Sequence, residues 1–508
     1  MALGALLKFW LFKKTDYNAF AEDFSESREY PWQEAELFRD ILRKQHYRTG
    51  GQKKLLVLDA GCGNGRHVPE LEKAGAEVVG IDQSEKLIEF AKKKYSGRTF
   101  LTGDMQDLPF VDRSFDAVFA FASLPHLSTK KAREKALTEI FRILKPGGFF
   151  GGTTWNLEQD RFQNARASAR WRRYIFPWWS KKDIVIPWGN KKIPRLYHAF
   201  SADDIQELLI QTGFEETECS KGEKTDHNLI FWGYRPKRVS VLGVPFDVTD
   251  FKSALQKLHE YAKGNRQFFV TTPNPEMCIA AEKDSDFLRV LQSAHFSIPD
   301  GIGILWASNF RQRYFQKLNK KNVHIIRTIF SLFHFLFFRQ SHILPERIAG
   351  SDLFVEFCKS TREPIFLLGG ASGSARECSR VFAGSVSGYD AGSASPKDEE
   401  RIRRAINASG ATVLFVAFGA PTQEKWITRN LKFLPNIRFA MGVGGSFDFV
   451  AGNQTRAPKI FQKTGMEWFW RLLKEPKKRG KRIWNAVVIF PNRIRKPKKM
   501  GLQLWEKP

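Results

Sequence analysis

Two acids and three glycines in the first hundred residues have the spacing of a nucleoside-binding site. The chain reads LLVLDAGCGNGRH from Leu55 to His67, and its acid is Asp59. The three glycines alternate with other residues: Gly61, Gly63 and Gly65. Glycines let a ligand lie against the backbone, because no Cβ blocks its approach. A second apolar run, VVGID, ends on Asp82, whose carboxylate can accept hydrogen bonds from two ribose hydroxyls.

This glycine spacing resembles that of the class I S-adenosylmethionine-dependent methyltransferases, since it reads G-x-G-x-G after an acid rather than G-x-G-x-x-G. The resemblance implies S-adenosylmethionine as methyl donor, with Asp104, in GDMQDLPF, at the adenine. His126, in ASLPHLST, would face the reacting methyl group. An alcohol acceptor needs a base, and His126 is the candidate because its ordinary pKa lies near neutrality. A carboxylate acceptor needs none, and His126 could equally cap its loop.

Sequence segments outside the cofactor motifs restrict this resemblance to one group of methyltransferases. They are YNAFAEDFSESREYPW (17–32), WNLEQDRF (155–162) and RLYHAF (195–200). Together these look like the methyltransferases that esterify carboxymethyl-uridine at the tRNA wobble position, over about residues 17–234. The substrate loop departs from that family, because ASLPHLST holds one histidine where a pair is expected. This departure concerns the methyl acceptor and not the methyl-transfer chemistry.

A second set of motifs begins after YRPKR, which interrupts the pattern at 234–238. QFFVTTPNPEM, SIPDGIGIL, ERIAGSD, GAPTQEKW and GVGGSFDF follow in that order. They hold five polar side chains of interest: Thr272, Asn274, Asp300, Arg347 and Gln423. This set resembles the WecG/TagA/CpsF glycosyltransferases over about residues 239–490.

That resemblance implies inverting transfer of an N-acetylhexosamine, N-acetylmannosamine in the best-known members, from a UDP-sugar to a polyprenyl-diphosphate-linked N-acetylglucosamine. Asp300 would be the general base, the alternative being a simple turn acid. Thr272 and Asn274 would position the sugars. Arg347 and Gln423 would hold the diphosphate, since a guanidinium binds two phosphate oxygens at once; Arg347 could instead be a surface cation.

No metal is expected in the second module. Asp284 and Asp286 form an Asp-x-Asp pair of the kind that holds a metal in many glycosyltransferases, but AAEKDSDFLRVL predicts a helix with this pair on its solvated face. The charge of the diphosphate would then be balanced by cations and helix N-termini. IFLLGGASGSARE (365–377) predicts a strand, a glycine turn and a helix start, which suit a phosphate.

Charge indicates the class of partner. With 81 basic and 54 acidic residues the formal net charge is +27, which favours nucleic acid, anionic lipid or nucleotide sugars. Five scattered cysteines, none in a CxxC pair, are typical of a reducing compartment. The opening MALGALLKFWLFKK lacks the marks of a signal peptide, and no run of about 18 uncharged apolar residues predicts a membrane-spanning helix.

Two basic segments predict peripheral binding to an anionic membrane surface. Residues 307–344 hold seven cations and no acid, and IIRTIFSLFHFLFF (325–338) within them suits an interfacial helix. The alternative is a helix that packs on the core or on a partner subunit. Residues 467–508 hold thirteen cations, three acids and interleaved tryptophans. The glycosyltransferase resemblance implies that three arginines here reach the lipid diphosphate: Arg471, Arg479 and Arg482.

These motifs must be positioned by alternating strands and helices, and such alternation runs through the chain. The sequence therefore predicts an α/β fold with two Rossmann-like modules in tandem, residues 1–235 and 236–466, and a basic appendage at 467–508. The expected function is bifunctional: glycosyl transfer and methyl transfer in cell-envelope polysaccharide synthesis, at the cytoplasmic face of the membrane. The alternatives are an independent tRNA methyltransferase module, or one module that serves only as a docking domain.

Overall fold

The structure is a computed structural model that describes residues 15–48, 54–175, 179–189, 193–222, 227–310, 343–371, 373–453, 458, 470, 480 and 484–495. Most of the predicted basic insert lies outside the described residues, as do Arg471, Arg479 and Arg482. The chain divides into two compact units, residues 1–237 and 238–508, and each is described by itself.

The first unit is built on a seven-stranded sheet. Its strands are β1 (Leu56–Ala60), β2 (Glu77–Asp82), β3 (Thr99–Thr102), β4 (Phe115–Phe121), β5 (Leu144–Trp155), β8 (Glu215–Lys221) and β9 (Asn228–Tyr234), and β6 (Asp183–Trp188) and β7 (Ile193–His198) form a separate antiparallel hairpin. The spatial order is β3-β2-β1-β4-β5-β9-β8. The strands from β3 to β5 are parallel, and β9 is antiparallel to β5 and β8. The chain leaves β1 towards β2 and later returns to β4 on its other side, so the carboxyl ends of β1 and β4 flank the place where such sheets bind ligands.

The helices of this unit cover both faces of the sheet. They are α1 (Ala21–Ser27), α2 (Glu34–Arg48), α3 (Val68–Glu72), α4 (Glu85–Lys94), α5 (Lys130–Ile143), α6 (Gln163–Ile175) and α7 (Ala202–Thr212). Side chains such as Phe38 and Phe119 fill one apolar layer, and Phe141 and Phe150 the other. Ser201 and Asp204 form a reciprocal capping box that starts α7.

The second unit holds a six-stranded, entirely parallel sheet. Its strands are β12 (Phe268–Thr271), β13 (Phe296–Ser297), β14 (Ile365–Gly369), β15 (Val386–Asp390), β16 (Val413–Ala417) and β17 (Phe439–Gly442), after a hairpin of β10 (Arg238–Val241) and β11 (Val244–Asp247). The order is β13-β12-β17-β16-β14-β15. The central strands are apolar along their whole length, as expected for a parallel sheet covered on both faces.

The helices of the second unit include α8 (Phe251–Lys263), α9 (Pro275–Lys283), α10 (Ser285–Gln292), α11 (Gly350–Ser360), α12 (Ser374–Val381), α13 (Pro396–Ala408), α14 (Thr422–Asn430), α15 (Ser446–Val450) and α16 (Phe490–Arg495). The last belongs to the predicted appendage, yet Phe490 and Ile494 are buried in one apolar cluster with Met277 and Trp306. This stretch is thus part of the core of the unit. The predicted α/β class is confirmed for both units.

Of the helices that the structure describes, none has the length and apolar character needed to cross a bilayer.

Candidate active sites

The glycine loop after β1 lies close to the end of β4. Gly61 has a φ of +80°, and a Cβ there would lie 2.3 Å from the Cβ of Ser123, so only glycine fits at this position. The amides of Gly61 and Cys62 donate to the carbonyl of Ile81, at 2.7 and 3.0 Å. The loop therefore lies across the ends of β1 and β2 with its backbone open to a ligand.

Asp82, at the end of β2, holds this loop in place. One of its oxygens accepts a hydrogen bond from the Gly63 amide at 2.9 Å, and the other accepts from the Ser84 amide, also at 2.9 Å. Burial raises the pKa of this carboxyl, and the backbone amides oppose that rise. Asp82 also lines a solvent-open cavity of about 120 Å³, which Gly61, Gly63 and Asp104 line as well.

Asp59 is buried in β1, and neither of its carboxylate oxygens has a hydrogen-bond partner among the described residues. Burial, with the charge of Asp82 nearby, raises its pKa to about 8. A buried carboxylate without a partner fits a cationic ligand, and S-adenosylmethionine carries a sulfonium and an ammonium group. The residues present therefore fit this cofactor: Asp82 is positioned for the ribose, and Asp59, behind the glycine loop, would ionise when the cationic part of the cofactor lowers its pKa.

Asp104 lies just after β3, as predicted, and its carboxylate is exposed on the rim of the cavity. It accepts hydrogen bonds from the Gln106 amide at 2.9 Å and from the Gln106 side chain at 3.1 and 3.2 Å. Four of the six predicted cofactor residues therefore line one cavity at the carboxyl edge of the sheet: Gly61, Gly63, Asp82 and Asp104. Asp59 is buried outside this lining, and Gly65 packs against the Phe100 ring, where a Cβ would lie 2.7 Å from Cε1.

His126 ends a short 3₁₀ turn, Leu124–His126, and lines the same cavity. Its Nδ1 lies 2.9 Å from the carbonyl of Leu196, which can only accept, so Nδ1 carries the proton. Its Nε2 then accepts from the hydroxyl of Tyr17 at 2.8 Å. Burial lowers the pKa of His126 to about 4. In this arrangement His126 is neutral and both nitrogens are engaged, so it orients Tyr17 instead of offering a free base.

A group of aromatic and arginine side chains surrounds His126, and the sequence patterns did not predict it. Tyr17, Tyr197 and Arg195 line the cavity, and the Tyr197 ring lies 4.5 Å from the His126 ring. Arg195 is 4% exposed, its guanidinium carbon lies 4.3 Å from the centroid of the Trp188 ring, and its Nε has no hydrogen-bond partner among the described residues. The RLYHAF run indicated this region, but no pattern in it assigned a role to its individual residues.

Two further arginines line the cavity. The guanidinium of Arg66 lies over the Trp32 ring at 4.9 Å, and that of Arg28 lies over Trp188 at 5.4 Å. Burial lowers the pKa of Arg66 to about 10, with Arg28 adding to the fall. Such weakly hydrated, stacked cations suit an anionic ligand group.

In the second unit, the loops after β12 and β13 are joined by backbone hydrogen bonds. The Ile298 amide donates to the Thr271 carbonyl at 2.8 Å, and the Asp300 amide donates to the Pro273 carbonyl at 3.1 Å. Asn274 begins α9, its side chain accepting from the Met277 amide at 3.0 Å. Thr272, Asn274 and Asp300, predicted as sugar-binding and catalytic residues, thus lie side by side at the carboxyl edge of the sheet.

The ERIAGSD segment runs past the same loops. The Ile348 amide donates to the Pro299 carbonyl at 3.0 Å, which places Arg347 next to the Asp300 loop. Gly350 begins α11, and a Cβ there would lie 2.9 Å from Oγ1 of Thr272. Arg347 is half-buried, and its role in holding the diphosphate stays a prediction.

Gln423 begins α14 at the ends of β16 and β17. Its side-chain oxygen accepts from the Gly419 amide at 3.1 Å and the Gly444 amide at 3.0 Å, and its NH₂ donates to Glu424 at 2.8 Å. A Cβ on Gly442 would lie 2.5 Å from that NH₂ group. Gln423 is 4% exposed, and its bonds to Gly419 and Gly444 hold two loops together. Its contact with the diphosphate stays a prediction.

The glycine turn after β14 differs from the predicted phosphate cradle. The side chain of Asp448 lies at the start of α12, where Oδ1 accepts from the Ser374 hydroxyl and, at 3.4 Å, from the Ala371 amide. A carboxylate of the chain itself is therefore at this helix N-terminus, the place expected for a phosphate.

The Asp-x-Asp pair is used for structure. Asp284 caps α10 through the Phe287 amide at 2.9 Å and pairs with Lys425 at 2.7 Å, while Asp286 pairs with Arg289 on the surface. Among the residues that the structure describes, no group of three or more histidine, cysteine or acidic side chains could hold a metal ion.

Comparisons with known proteins agree with this geometry. A family model described as the WecG/TagA/CpsF glycosyltransferase family matches residues 239–334 and 331–501, and a methyltransferase-domain model matches residues 58–151. The N-acetylglucosaminyldiphosphoundecaprenol N-acetyl-β-D-mannosaminyltransferase of Bacillus spizizenii is 31% identical over 259 residues, which are 49% of this chain and 86% of that protein.

The tRNA (carboxymethyluridine(34)-5-O)-methyltransferase of Arabidopsis thaliana is 31% identical over 202 residues, 39% of this chain and 45% of that protein. A solved SAM-dependent methyltransferase from Methanosarcina mazei covers 36% of this chain and 94% of its own length, at 21% identity and a TM-score of 0.32. The family model for the second unit spans more than half of the chain. The chain therefore belongs to the WecG/TagA/CpsF glycosyltransferase family through its C-terminal part, and it carries a methyltransferase domain ahead of that part.

Proposed function

We propose that the second unit transfers an N-acetylhexosamine, N-acetylmannosamine by its similarity to the Bacillus enzyme, from a UDP-sugar to a polyprenyl-diphosphate-linked N-acetylglucosamine. The observation that carries this proposal is the meeting of Thr272, Asn274 and Asp300 at the ends of β12 and β13. Adjacent loops that carry a carboxyl, a hydroxyl and an amide side chain at one sheet edge suit a sugar hydroxyl, which has to be both positioned and deprotonated.

In the proposed reaction Asp300 accepts the proton of the acceptor hydroxyl while that oxygen attacks the anomeric carbon of the donor sugar. The bond to the UDP oxygen breaks on the opposite face, so the anomeric centre is inverted and UDP leaves with the negative charge. Arg347, which lies next to the Asp300 loop, would balance that charge. The brace of Gln423 and Glu424 holds the loops at the ends of β16 and β17.

The first unit is proposed to transfer the methyl group of S-adenosylmethionine. The cofactor would supply an electrophilic methyl on its sulfonium; Asp82 would hold its ribose, Asp104 would lie at its adenine, and Asp59 would face its cationic part from behind the glycine loop. The acceptor would lie near Arg195 and Tyr17 at the other part of the cavity. Since His126 is neutral and already bonded on both nitrogens, the geometry supports an acceptor that needs no strong base. In-line positioning then provides most of the rate.

For the acceptor of the methyl group we propose the glycan made by the second unit, because tethering two sites raises the local concentration of a shared substrate. Both reactions would then take place at the cytoplasmic face of the membrane. The second candidate is tRNA, favoured by the similarity to the Arabidopsis enzyme over 202 residues. The engaged state of His126 also favours this candidate, because a carboxymethyl carboxylate needs no base, whereas a glycan hydroxyl would need another group to accept its proton.

One experiment separates these candidates. The purified chain is incubated with radiolabelled S-adenosylmethionine, UDP-N-acetylmannosamine and polyprenyl-diphosphate-N-acetylglucosamine, with bulk tRNA in a parallel tube. Label in the lipid fraction that depends on the UDP-sugar supports the shared pathway. Label that appears only in RNA, and that RNase removes, would show two independent activities on one chain.

A further inference from the structure

Helix α6 of the first unit carries two large aromatic rings on its outer face. Trp171 is 73% exposed and Tyr174 is 84% exposed, and their ring centroids lie 6.2 Å apart. Arg170 is exposed directly beside them, and Arg161 is exposed at the start of the helix. Two neighbouring exposed aromatics flanked by arginines form a surface that differs from an ordinary solvated helix.

The inner face of the same helix is firmly anchored. Ala169 is buried in one cluster with Ile184 and Tyr197, and the guanidinium of Arg166 donates to the carbonyls of Leu157 and Gln159 at 2.6 and 2.8 Å. The outward direction of Trp171 and Tyr174 is therefore set by the packing of α6 against the β6–β7 hairpin.

The charge of the stretch that holds this helix is positive. Residues 155–200 contain ten lysines and arginines and three acids. Asp183 is buried and engaged with His198 at 2.9 Å and with the Ser180 amide, and Arg195 is buried as well. The exposed charges of the described residues in this stretch are Arg161, Arg170, Lys181 and Lys182 against Glu158 and Asp160, so the surface carries a net positive charge that complements an anionic layer.

We propose that the outer face of α6 is a membrane-contact surface that binds an anionic lipid bilayer through Trp171, Tyr174 and Arg170. Tryptophan and tyrosine place their apolar rings below the lipid headgroups while their polar atoms stay at the interface, and arginine binds lipid phosphates beside them. A convex helix with paired rings suits a flat bilayer better than a single RNA strand, which is bound in grooves that follow its backbone. Tyr197 joins the α6 cluster to the cavity wall, so docking would bring the methyl-transfer cavity towards lipid-linked molecules.

This proposal rests on the proposed function only in taking a lipid-carried glycan as the acceptor. The test measures partitioning of the full chain onto vesicles of phosphatidylcholine with 30% phosphatidylglycerol at low salt. The W171A/Y174A variant is expected to bind at least tenfold more weakly, since tenfold corresponds to only about 60 Å² of apolar area at about 25 cal/mol per Å². R170E is expected to lose about thirtyfold, at about 1 kcal/mol for each unit of charge changed.

The matched control is Y30A/Y47A, because Tyr30 and Tyr47 are 77% and 79% exposed in the same unit but lie outside α6. It is expected to bind vesicles like the unchanged chain. W171A/Y174A should also retain S-adenosylmethionine binding, measured by calorimetry, and sugar transfer in detergent, which excludes misfolding as the cause of the loss.

Vesicle binding by W171A/Y174A that equals that of the unchanged chain would overturn the proposal. So would a loss of affinity for a single-stranded RNA oligonucleotide with vesicle binding intact, since α6 would then be an RNA surface. An enzyme that binds vesicles through α6 but transfers neither sugar nor methyl would contradict the proposed function and leave this inference standing.

Discussion

Gly442 is expected to be essential because its missing Cβ makes room for Gln423. In the G442A variant the new methyl would lie 2.5 Å from the Gln423 nitrogen and within 2.9 Å of two of its carbons, so the side chain must shift. We expect that shift to break three hydrogen bonds, the partly buried ones to the Gly419 and Gly444 amides and the buried one to Glu424. At about 1 kcal/mol for each bond, the second unit is expected to lose about 3 kcal/mol of stability.

A double-mutant cycle tests that reasoning. Q423A removes the same three bonds, so G442A/Q423A should cost no more than Q423A alone, about 3 instead of about 6 kcal/mol. Scanning calorimetry of the full chain follows the transition of the second unit, which should fall by about 6 °C or more in each single variant. The kcat/KM of sugar transfer should fall in all three variants, because the loops at the ends of β16 and β17 are no longer braced.

The matched control is G445A. Gly445 has a φ of −78°, and the nearest atom to an added Cβ is 3.8 Å away, so little change is expected. Additive costs of G442A and Q423A would refute the reasoning, because they would mean that the methyl group does not act by expelling Gln423.

Three further outcomes are expected. Asp300→Asn should lower sugar transfer by about 10²-fold or more while donor binding, measured by calorimetry, is retained, with the exposed Asp286→Asn as control; normal turnover would place the base elsewhere. Because burial raises the pKa of Asp59 to about 8, the folded state holds a proton that the unfolded state releases near pH 4, so the contribution of Asp59 to stability falls as pH rises from about 4 to about 8, by about 5 kcal/mol in all. In thermal unfolding of the first unit the difference in stability between Asp59→Asn and the unchanged chain should therefore grow as pH rises over this window, and a difference that does not change with pH would contradict it. Since burial lowers the pKa of His126 to about 4, methyl transfer should show no titration of His126 near pH 6.5, whereas the contribution of His126 to stability should fall as pH drops from about 6.5 to about 4, opposite in sign to that of Asp59; a rate inflection near pH 6.5 that disappears in His126→Gln would restore its role as a base.

Those parts of the two sites whose residues lie close together in the chain could be predicted from the sequence. Asp59, the three glycines and Asp82 are carried by two consecutive strands and their loops, so their order in the sequence is also their order at the sheet edge. Asn274 and Asp300 were likewise recognisable, since each directly follows a strand and the carboxyl ends of parallel strands meet at one edge.

The contacts that decide the roles of other residues are long-range. Tyr17 and His126 are 109 residues apart, and their hydrogen bond engages a ring nitrogen that a general base would need to have free. Asp448 reaches the start of α12 across 74 residues and takes the place predicted for a phosphate. The spacing of residues in the sequence cannot predict such pairs, because they depend on where the loops that follow distant strands lie in the folded chain.

The sequence by itself determined the two α/β units, the two enzyme families and the residues that follow each strand, because strand periodicity and glycine-bearing turns are written in consecutive residues. Only the tertiary structure decided how those residues are used. It showed that the side chain of Gln423 forms hydrogen bonds with Gly419, Gly444 and Glu424. It also showed that Arg195 lies among aromatic rings at the cavity of the first unit. The physical reason is that burial and hydrogen-bond partners, which set the charge and freedom of a side chain, are properties of the packed structure.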